Sequence, residues 1–169
     1  VGIRQNTYNL VKKTKCVGPY AFAYSTLDTI YLPPRLERIE AFAFYGSFIT
    51  NIFYPASLSL IENHAFKYCE FLESADLSNT NLTKIGDKAF EYCSKMQEVS
   101  FPRCLVSVGT RAFASCTLLK YVTYYGDKEL SGDRVFEDCP CEPAARVPKN
   151  FPVSTLAGIR VEAGILASP

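Results

Sequence analysis

The chain has 169 residues, with 18 Lys and Arg against 17 Asp and Glu and a formal net charge of +1. This balance, without a run of like charge, gives no broad field to attract nucleic acid or an anionic membrane, so neither is expected as a partner. The 12 Phe and 11 Tyr indicate a folded core, and no stretch is long and apolar enough to predict a membrane-spanning helix.

Three parts follow one another along the chain. Residues 1–16 are interpreted as an N-terminal lead-in, residues 17–139 as a repeat region, and residues 140–169 as a degraded terminal repeat with a C-terminal tail. The last of these parts is expected to contain a strand that ends near Val147 and Pro148, because proline interrupts the hydrogen bonds of a strand.

The repeat region is organised around an Ala-Phe pair. The pair closes a motif that reads VGPYAF at 17–22, IEAFAF at 39–44, IENHAF at 61–66, IGDKAF at 85–90 and VGTRAF at 108–113. With a degraded sixth copy, the repeated phenylalanines are Phe22, Phe44, Phe66, Phe90, Phe113 and Phe136. Their separation of 22 to 24 residues is within the period of leucine-rich repeats. Since one coil cannot bury its own apolar side, we expect the coils to stack these rings.

A second apolar block follows each phenylalanine. It reads LDTIYLP at 27–33, ITNIFYP at 49–55, LESADLS at 72–78, MQEVSFP at 96–102 and LKYVTYY at 119–125. Its alternating last residues predict one short parallel strand in each coil of 22 to 24 residues. The Ala-Phe segment is too short for a full helix, so a 3₁₀ or α turn is predicted on the convex side. The predicted fold class is an α/β repeat, a leucine-rich-repeat solenoid.

Side chains that point out of these strands would form the concave face. We expect a protein ligand to contact the outward residues Tyr31, Phe53, Asp76, Glu98, Ser100, Tyr121, Thr123 and Tyr125. Alternation sends Tyr31 and Phe53 outward if Ile30 and Ile52 point inward. Two interpretations of this aromatic pair stay open: it stiffens the sheet, or it anchors a partner.

The third repeat departs from the pattern, because an insertion, SNTNLTK at 78–84, replaces the proline after its strand. Within it, Asn81, Leu82 and Thr83 form an N-glycosylation sequon. Asn81 is therefore a possible glycosylation site if the protein is secreted.

Four cysteines lie three residues after a repeated phenylalanine: Cys69, Cys93, Cys116 and Cys139. A solenoid would align them in a column, for which disulfides, a metal site and a ladder of small buried thiols are the alternatives. We favour buried thiols, because aligned side chains point the same way and the total of seven cysteines is odd. The first two repeats are interpreted as one residue shorter here, which would place Tyr24 and Gly46 at the cysteine position. No metal or cofactor is expected.

No constellation of residues indicates catalysis. His64 is the single histidine and is expected to be an exposed turn residue. Glu137 and Asp138 are expected on a solvated face rather than as an acid/base pair. The protein is therefore predicted not to be an enzyme.

The motif IGDKAFEYCSKMQEVSFP at 85–102 resembles the BspA-type leucine-rich repeat, and the resemblance extends over residues 17–139. It implies a surface or secreted protein of bacteria or protozoan parasites that adheres to host cells or matrix proteins such as fibronectin. The C-terminal stretch is similar to that of trichomonad members. The alternative is a cytoplasmic scaffold within a larger assembly, and a signal peptide or membrane anchor in the full-length reading frame would distinguish the two.

Overall fold

The computed structural model describes residues 7–139, 144–149, 151–152 and 155–166. Strands of three or four residues line one side of the repeats: β1 (Thr7–Asn9), β3 (Thr29–Tyr31), β5 (Asn51–Phe53), β7 (Ser74–Asp76), β9 (Glu98–Phe101) and β11 (Tyr121–Tyr124). Two-residue strands line a second side: β2 (Cys16–Val17), β4 (Arg38–Ile39), β6 (Leu60–Ile61), β8 (Lys84–Ile85) and β10 (Ser107–Val108). The remaining strands follow the repeats: β12 (Ala144–Pro148), β13 (Thr155–Leu156) and β14 (Ile159–Leu166).

The stacked coils form a parallel β-solenoid, as the repeat predicts. The prediction of one strand per coil is incomplete, because the coils also contain a second, two-residue strand. These short strands form a parallel sheet of their own, in the order β10-β8-β6-β4-β2. In β4, Arg38 is exposed and Ile39 is buried. Two residues suffice for a strand here because the coil above and the coil below both supply hydrogen-bond partners.

The prediction of 3₁₀ or α turns, and with it the α/β class, is wrong, because the described residues contain no helix. The residue before the repeated Ala and the second residue after Phe have φ between 47° and 62° in every coil. These left-handed pairs are Tyr20 and Tyr24, Phe42 and Gly46, His64 and Tyr68, Lys88 and Tyr92, Arg111 and Ser115, and Arg134 and Asp138. A left-handed residue interrupts a helical turn. Every second backbone N–H of the turn then donates a hydrogen bond to a carbonyl of the next coil.

The second coil illustrates these convex hydrogen bonds. Phe42, Phe44 and Gly46 donate their N–H groups to carbonyls of the following coil, over 3.3, 2.7 and 2.8 Å. Tyr45, which lies between them, donates back to Phe42 of its own coil over 3.1 Å. The turns therefore form a third ladder that joins neighbouring coils.

The predicted phenylalanine column is confirmed. Phe44, Phe66, Phe90 and Phe113 are fully buried, and consecutive rings among them lie 4.9 Å apart and within 10° of parallel. The terminal rings, Phe22 and Phe136, are partly buried. Every central ring thus packs against one ring above and one below.

The C-terminal strands extend the sheet that contains β7, β9 and β11. β12 pairs in parallel with β11 and ends at Pro148, as predicted, and β14 pairs in parallel with β12. β13 adds to β14 in the antiparallel direction. None of the described segments is a helix that could cross a membrane.

Candidate functional site

The outward residues of β3, β5, β7, β9 and β11 define the concave face. The register places Tyr31 beside Phe53, Asp76 beside Ser100, and Ser100 beside Thr123. Glu98 lies between Ser74 and Tyr121. Ile30, Ile52 and Val99, which alternate with these residues, are buried, so the predicted alternation is correct in β3, β5 and β9. In β11, Val122, Thr123 and Tyr124 are all buried.

Tyr31 and Phe53 form an exposed aromatic pair. Their ring centroids are 4.5 Å apart, and the planes differ by 3°. The two residues keep 49% and 51% of their surface exposed. This is a contiguous aromatic surface that lies outside the core.

One expected contact residue, Thr123, is not accessible on this face. It is only 9% exposed, since β12 adds beside β11 and places Arg146 next to Thr123 in the register. The Arg146 guanidinium lies 3.8 Å from the Tyr121 ring centroid. The sequence predicts the strand that ends near Pro148 but not that it covers Thr123, because the degraded repeat does not show which side chain lies next to Thr123.

The other expected residues remain accessible. Glu98 and Asp76 are exposed, Ser100 is half-buried, and Tyr121 and Tyr125 are exposed at 39% and 41%. Asn81 is exposed too, and its backbone N–H donates to the Ala56 carbonyl over 3.0 Å. A glycan on its side chain would reach water.

The concave ladder is interrupted between Phe53 and Asp76. β5 is the last strand of the sheet β1-β3-β5, whereas β7 begins the sheet that continues through β9 and β11. A cleft of about 210 Å³ lies at this break, with Asn51, Phe53, Tyr54 and Asp76 among its walls. The sequence signal for it is the insertion at 78–84, which interrupts the regular pattern and supplies Asn79 and Thr80 to the lining.

The cysteine column consists of hydrogen-bond donors to the backbone. Cys69 donates to the Phe44 carbonyl over 3.0 Å, and Cys93 and Cys116 donate to the corresponding Phe66 and Phe90 carbonyls over 3.3 Å. These three thiols are buried and free. Burial raises the pKa of Cys69 to about 12 and raises the pKa values of Cys93 and Cys116 as well.

The expected placement of Tyr24 and Gly46 at the cysteine position is wrong. Both have positive φ, like Tyr68 and Tyr92, so they occupy the second position after Phe. Ser47 is the residue equivalent to cysteine, and its hydroxyl lies 3.3 Å from the Cys69 sulfur. The first repeats are therefore not shortened at this point.

His64 is a stacked, half-buried residue and not an exposed one. Its ring packs 4.7 Å from Phe42, which packs 5.0 Å from Tyr20. Burial lowers the pKa of His64, and Lys67 and Lys88 lower it further. A second convex column, also missed from sequence, joins Tyr24, Tyr45, Tyr68 and Tyr92. The first column could have been found from the sequence, because Tyr20, Phe42 and His64 each lie two residues before the repeated phenylalanine.

An ion-pair network crosses the convex turns of four coils. Glu91 is 2% exposed and binds Lys67 over 2.6 Å and Arg111 over 3.0 Å. Arg111 also pairs with Glu137. The expectation of a solvated face therefore fails for Glu137, whereas the Asp138 side chain is 67% exposed. Within the described residues no group of His, Cys, Asp and Glu has a geometry that could hold a metal ion.

Comparison with known proteins identifies a matching family model and several solved structures with a similar fold. The BspA type leucine rich repeat region model matches residues 15–142 in six copies. A leucine rich repeat protein from T. pallidum has 24% identity and a TM-score of 0.70, covering 84% of this chain and 68% of its own. No curated protein sequence matches the chain.

Two further solved structures are similar over most of this chain. The pneumococcal vaccine antigen PcpA has 22% identity and a TM-score of 0.76, over 86% of this chain. A leucine-rich repeat protein from Bacteroides ovatus has 27% identity and a TM-score of 0.71, also over 86%. The chain spans 41% and 40% of the lengths of these two proteins.

Proposed function

Because the chain belongs to the BspA-type leucine-rich repeat family, we propose that it is a protein-binding module, a cell-surface or secreted adhesin whose concave face contacts a host or matrix protein. Repeat proteins of this family are typically non-enzymatic. The observation that carries the proposal is the exposed pair of Tyr31 and Phe53, stacked 4.5 Å apart on the concave face. Aromatic residues that become fully desolvated contribute most of the energy at protein interfaces.

The surroundings of this pair support an interface. Exposed Asp76 lies in the coil next to Phe53, and the exposed residues Glu98, Tyr121 and Tyr125 lie in later coils toward the C-terminal end. An apolar centre with a polar rim is the usual arrangement at protein interfaces. Tyr31 and Phe53 would be the anchors, and the charged residues would set orientation.

Replacing both anchors tests the proposal. Tyr31→Ala with Phe53→Ala should weaken binding to immobilised fibronectin, other matrix proteins or host cells by at least about 30-fold, since a hot-spot residue contributes ~2 kcal/mol. Surface plasmon resonance measures the matrix proteins, and a cell-binding assay measures the cells. Phe48→Ala is the matched control, because Phe48 is also 51% exposed but lies outside the concave strands. Unchanged affinity of the double variant would contradict the proposal.

A cytoplasmic scaffold is the alternative, and the free thiols favour it. Cys16 and Cys104 are free thiols, as are the buried Cys69, Cys93 and Cys116. Free thiols are expected in a reducing compartment. The mass of the native protein discriminates, because a glycan on Asn81 requires passage through the secretory pathway of a eukaryotic cell. A signal peptide in the full-length reading frame would favour the adhesin whether the source organism is bacterial or eukaryotic.

A further inference from the structure

The cleft between Phe53 and Asp76 has the chemistry of a binding slot. We call it the acceptor slot and define it by Asn51, Phe53, Tyr54 and Asp76, which line the volume of about 210 Å³. It lies between β5 and β7, which are not paired with each other, whereas all the other neighbouring concave strands are paired. A break in the ladder therefore opens a recess beside the exposed aromatic pair.

Two polar side chains of the slot, Asp76 and Asn51, offer hydrogen-bond acceptors. Oδ1 of Asp76 accepts the Ser78 N–H and hydroxyl over 3.1 and 2.6 Å, and no described residue donates to Oδ2. The Asn51 amide donates its Nδ2 to the Thr50 hydroxyl over 2.9 Å, which leaves its carbonyl oxygen to accept. The acceptors of Asp76 and Asn51 are thus open to a donor that enters the slot.

Tyr54 lines the slot but adds no hydrogen-bonding group to it. Its hydroxyl oxygen is buried and has no hydrogen-bond partner among the described residues. Burial raises the pKa of Tyr54 well above its ordinary value, so the group stays a neutral phenol. The Tyr54 ring packs against the core ring Phe66, and the buried thiols of Cys69 and Cys93 also raise its pKa. The hydroxyl therefore points into the core, away from a ligand in the slot.

Phe53 supplies an aromatic wall. Tyr31 covers one face of its ring at 4.5 Å, and Phe53 also lines the slot. The ring face turned away from Tyr31 lies on the side of Asp76, since Asp76 belongs to the next coil. The slot therefore combines a π face with a carboxylate.

We propose that the acceptor slot binds an arginine side chain of the protein partner. A guanidinium carries five N–H donors and no acceptor, is planar, and stacks on aromatic rings. It would lie over Phe53 and donate to Asp76 and Asn51. The chain already stacks Arg146 over Tyr121 at 3.8 Å. This inference rests on the proposed protein-binding function of the concave face and names the chemistry of the partner.

The test uses N-acetyl-arginine amide as the probe and N-acetyl-citrulline amide as its neutral counterpart. Nuclear magnetic resonance titration of the intact chain should give an arginine dissociation constant in the millimolar range and at least about 10-fold weaker citrulline binding. Asp76→Asn and Phe53→Ala should each weaken arginine binding at least about fivefold.

Two matched variants control for loss of charge and of exposed aromatic surface. Asp127→Asn removes an exposed carboxylate outside the slot, and Phe48→Ala removes a ring as exposed as Phe53. Both should bind the arginine probe like the unmodified chain. An equal loss with Asp127→Asn would overturn the proposal, because it would indicate unspecific charge attraction. Circular dichroism checks that each variant is folded.

Other outcomes separate this inference from the proposed function. No arginine binding, or binding of methyl hexopyranosides in the same slot with the same dependence on Phe53, would overturn the arginine site. The adhesin proposal would still stand if Tyr31→Ala with Phe53→Ala weakened matrix or cell binding. Arginine binding in a chain whose partner binding does not depend on that double variant would instead reject the adhesin proposal alone.

Discussion

Cysteine and serine occupy the same structural position, the third residue after the repeated phenylalanine. Cys69, Cys93 and Cys116 donate their thiols to a carbonyl of the preceding coil, and Ser47 contacts the Cys69 sulfur from that coil. A thiol suits this place because it is apolar enough for the core and still satisfies a buried carbonyl. The column that suggested redox or metal chemistry is thus a structural one.

These thiols should differ sharply in reactivity. Cys104 is exposed and should react rapidly with iodoacetamide, whereas Cys69, Cys93 and Cys116 should react only after unfolding. Their burial removes access and raises their pKa, and alkylation requires the thiolate. Mass spectrometry of peptides labelled with and without urea measures this. Labelling of Cys93 at the rate of Cys104 in the folded protein would contradict the assignment.

His64 should make stability depend on pH. Its folded pKa is lowered below the ordinary value of about 6.5, so the unfolded chain binds the proton more tightly. Stability is therefore fully present above about pH 6.5 and is lost as the pH falls through the folded pKa. His64→Phe, which copies Phe42 of the preceding coil, should remove this part of the change in melting temperature. An equal fall in melting temperature between pH 7 and 5 in the unmodified chain and in the His64→Phe variant would reject this role.

At the scale of elements, the convex turn decides how close neighbouring coils can approach. A Cβ on Gly109 would overlap backbone atoms of Gly86 and Asp87 in the preceding coil. Glycine is needed here because its missing side chain admits the next backbone. At the equivalent Gly18 of the first repeat, a Cβ would have no atom within 4 Å, so the same position is unconstrained at the end of the stack.

This difference predicts unequal effects of one substitution. Gly109→Ala should lower the free energy of unfolding by about 1 to 3 kcal/mol, because the backbone must shift to admit the methyl group. Gly18→Ala should change it by less than about 0.5 kcal/mol. Urea denaturation of both variants gives the comparison, and equal effects would show that coil spacing does not depend on Gly109.

At the scale of the whole molecule, stability comes from contacts between neighbouring coils. Phe90 has a ring 4.9 Å away on each side, whereas Phe136 at the end of the column has the Phe113 ring at 5.6 Å. In a stacked repeat, each coil is stabilised by its immediate neighbours. Central positions should therefore contribute more than terminal ones.

Truncation at two positions of the column tests this expectation. Phe90→Ala should cost about 3 to 5 kcal/mol, and Phe136→Ala about half as much because it is partly exposed. Calorimetry or urea denaturation measures both. A Phe90→Ala melting temperature equal to that of the unmodified chain would exclude the column as the main source of stability.

The periodic sequence by itself determined the coils, the phenylalanine column and the alternation in β3, β5 and β9, because each depends on spacing within or between repeats. It also determined that Tyr31 and Phe53 are exposed, since alternation sends them away from the buried Ile30 and Ile52.

Only the tertiary structure decided the features that depend on which residue lies in the next coil. Arg146 and β12 cover Thr123, and the acceptor slot opens where β5 and β7 are not paired. Tyr45 joins Tyr24 and Tyr68 although it lies one residue, not two, after its phenylalanine. These contacts join residues more than 20 positions apart through local irregularities, and a repeat pattern records only what is regular. The left-handed turns also arise in this way, because the hydrogen bonds that stabilise them come from the neighbouring coil.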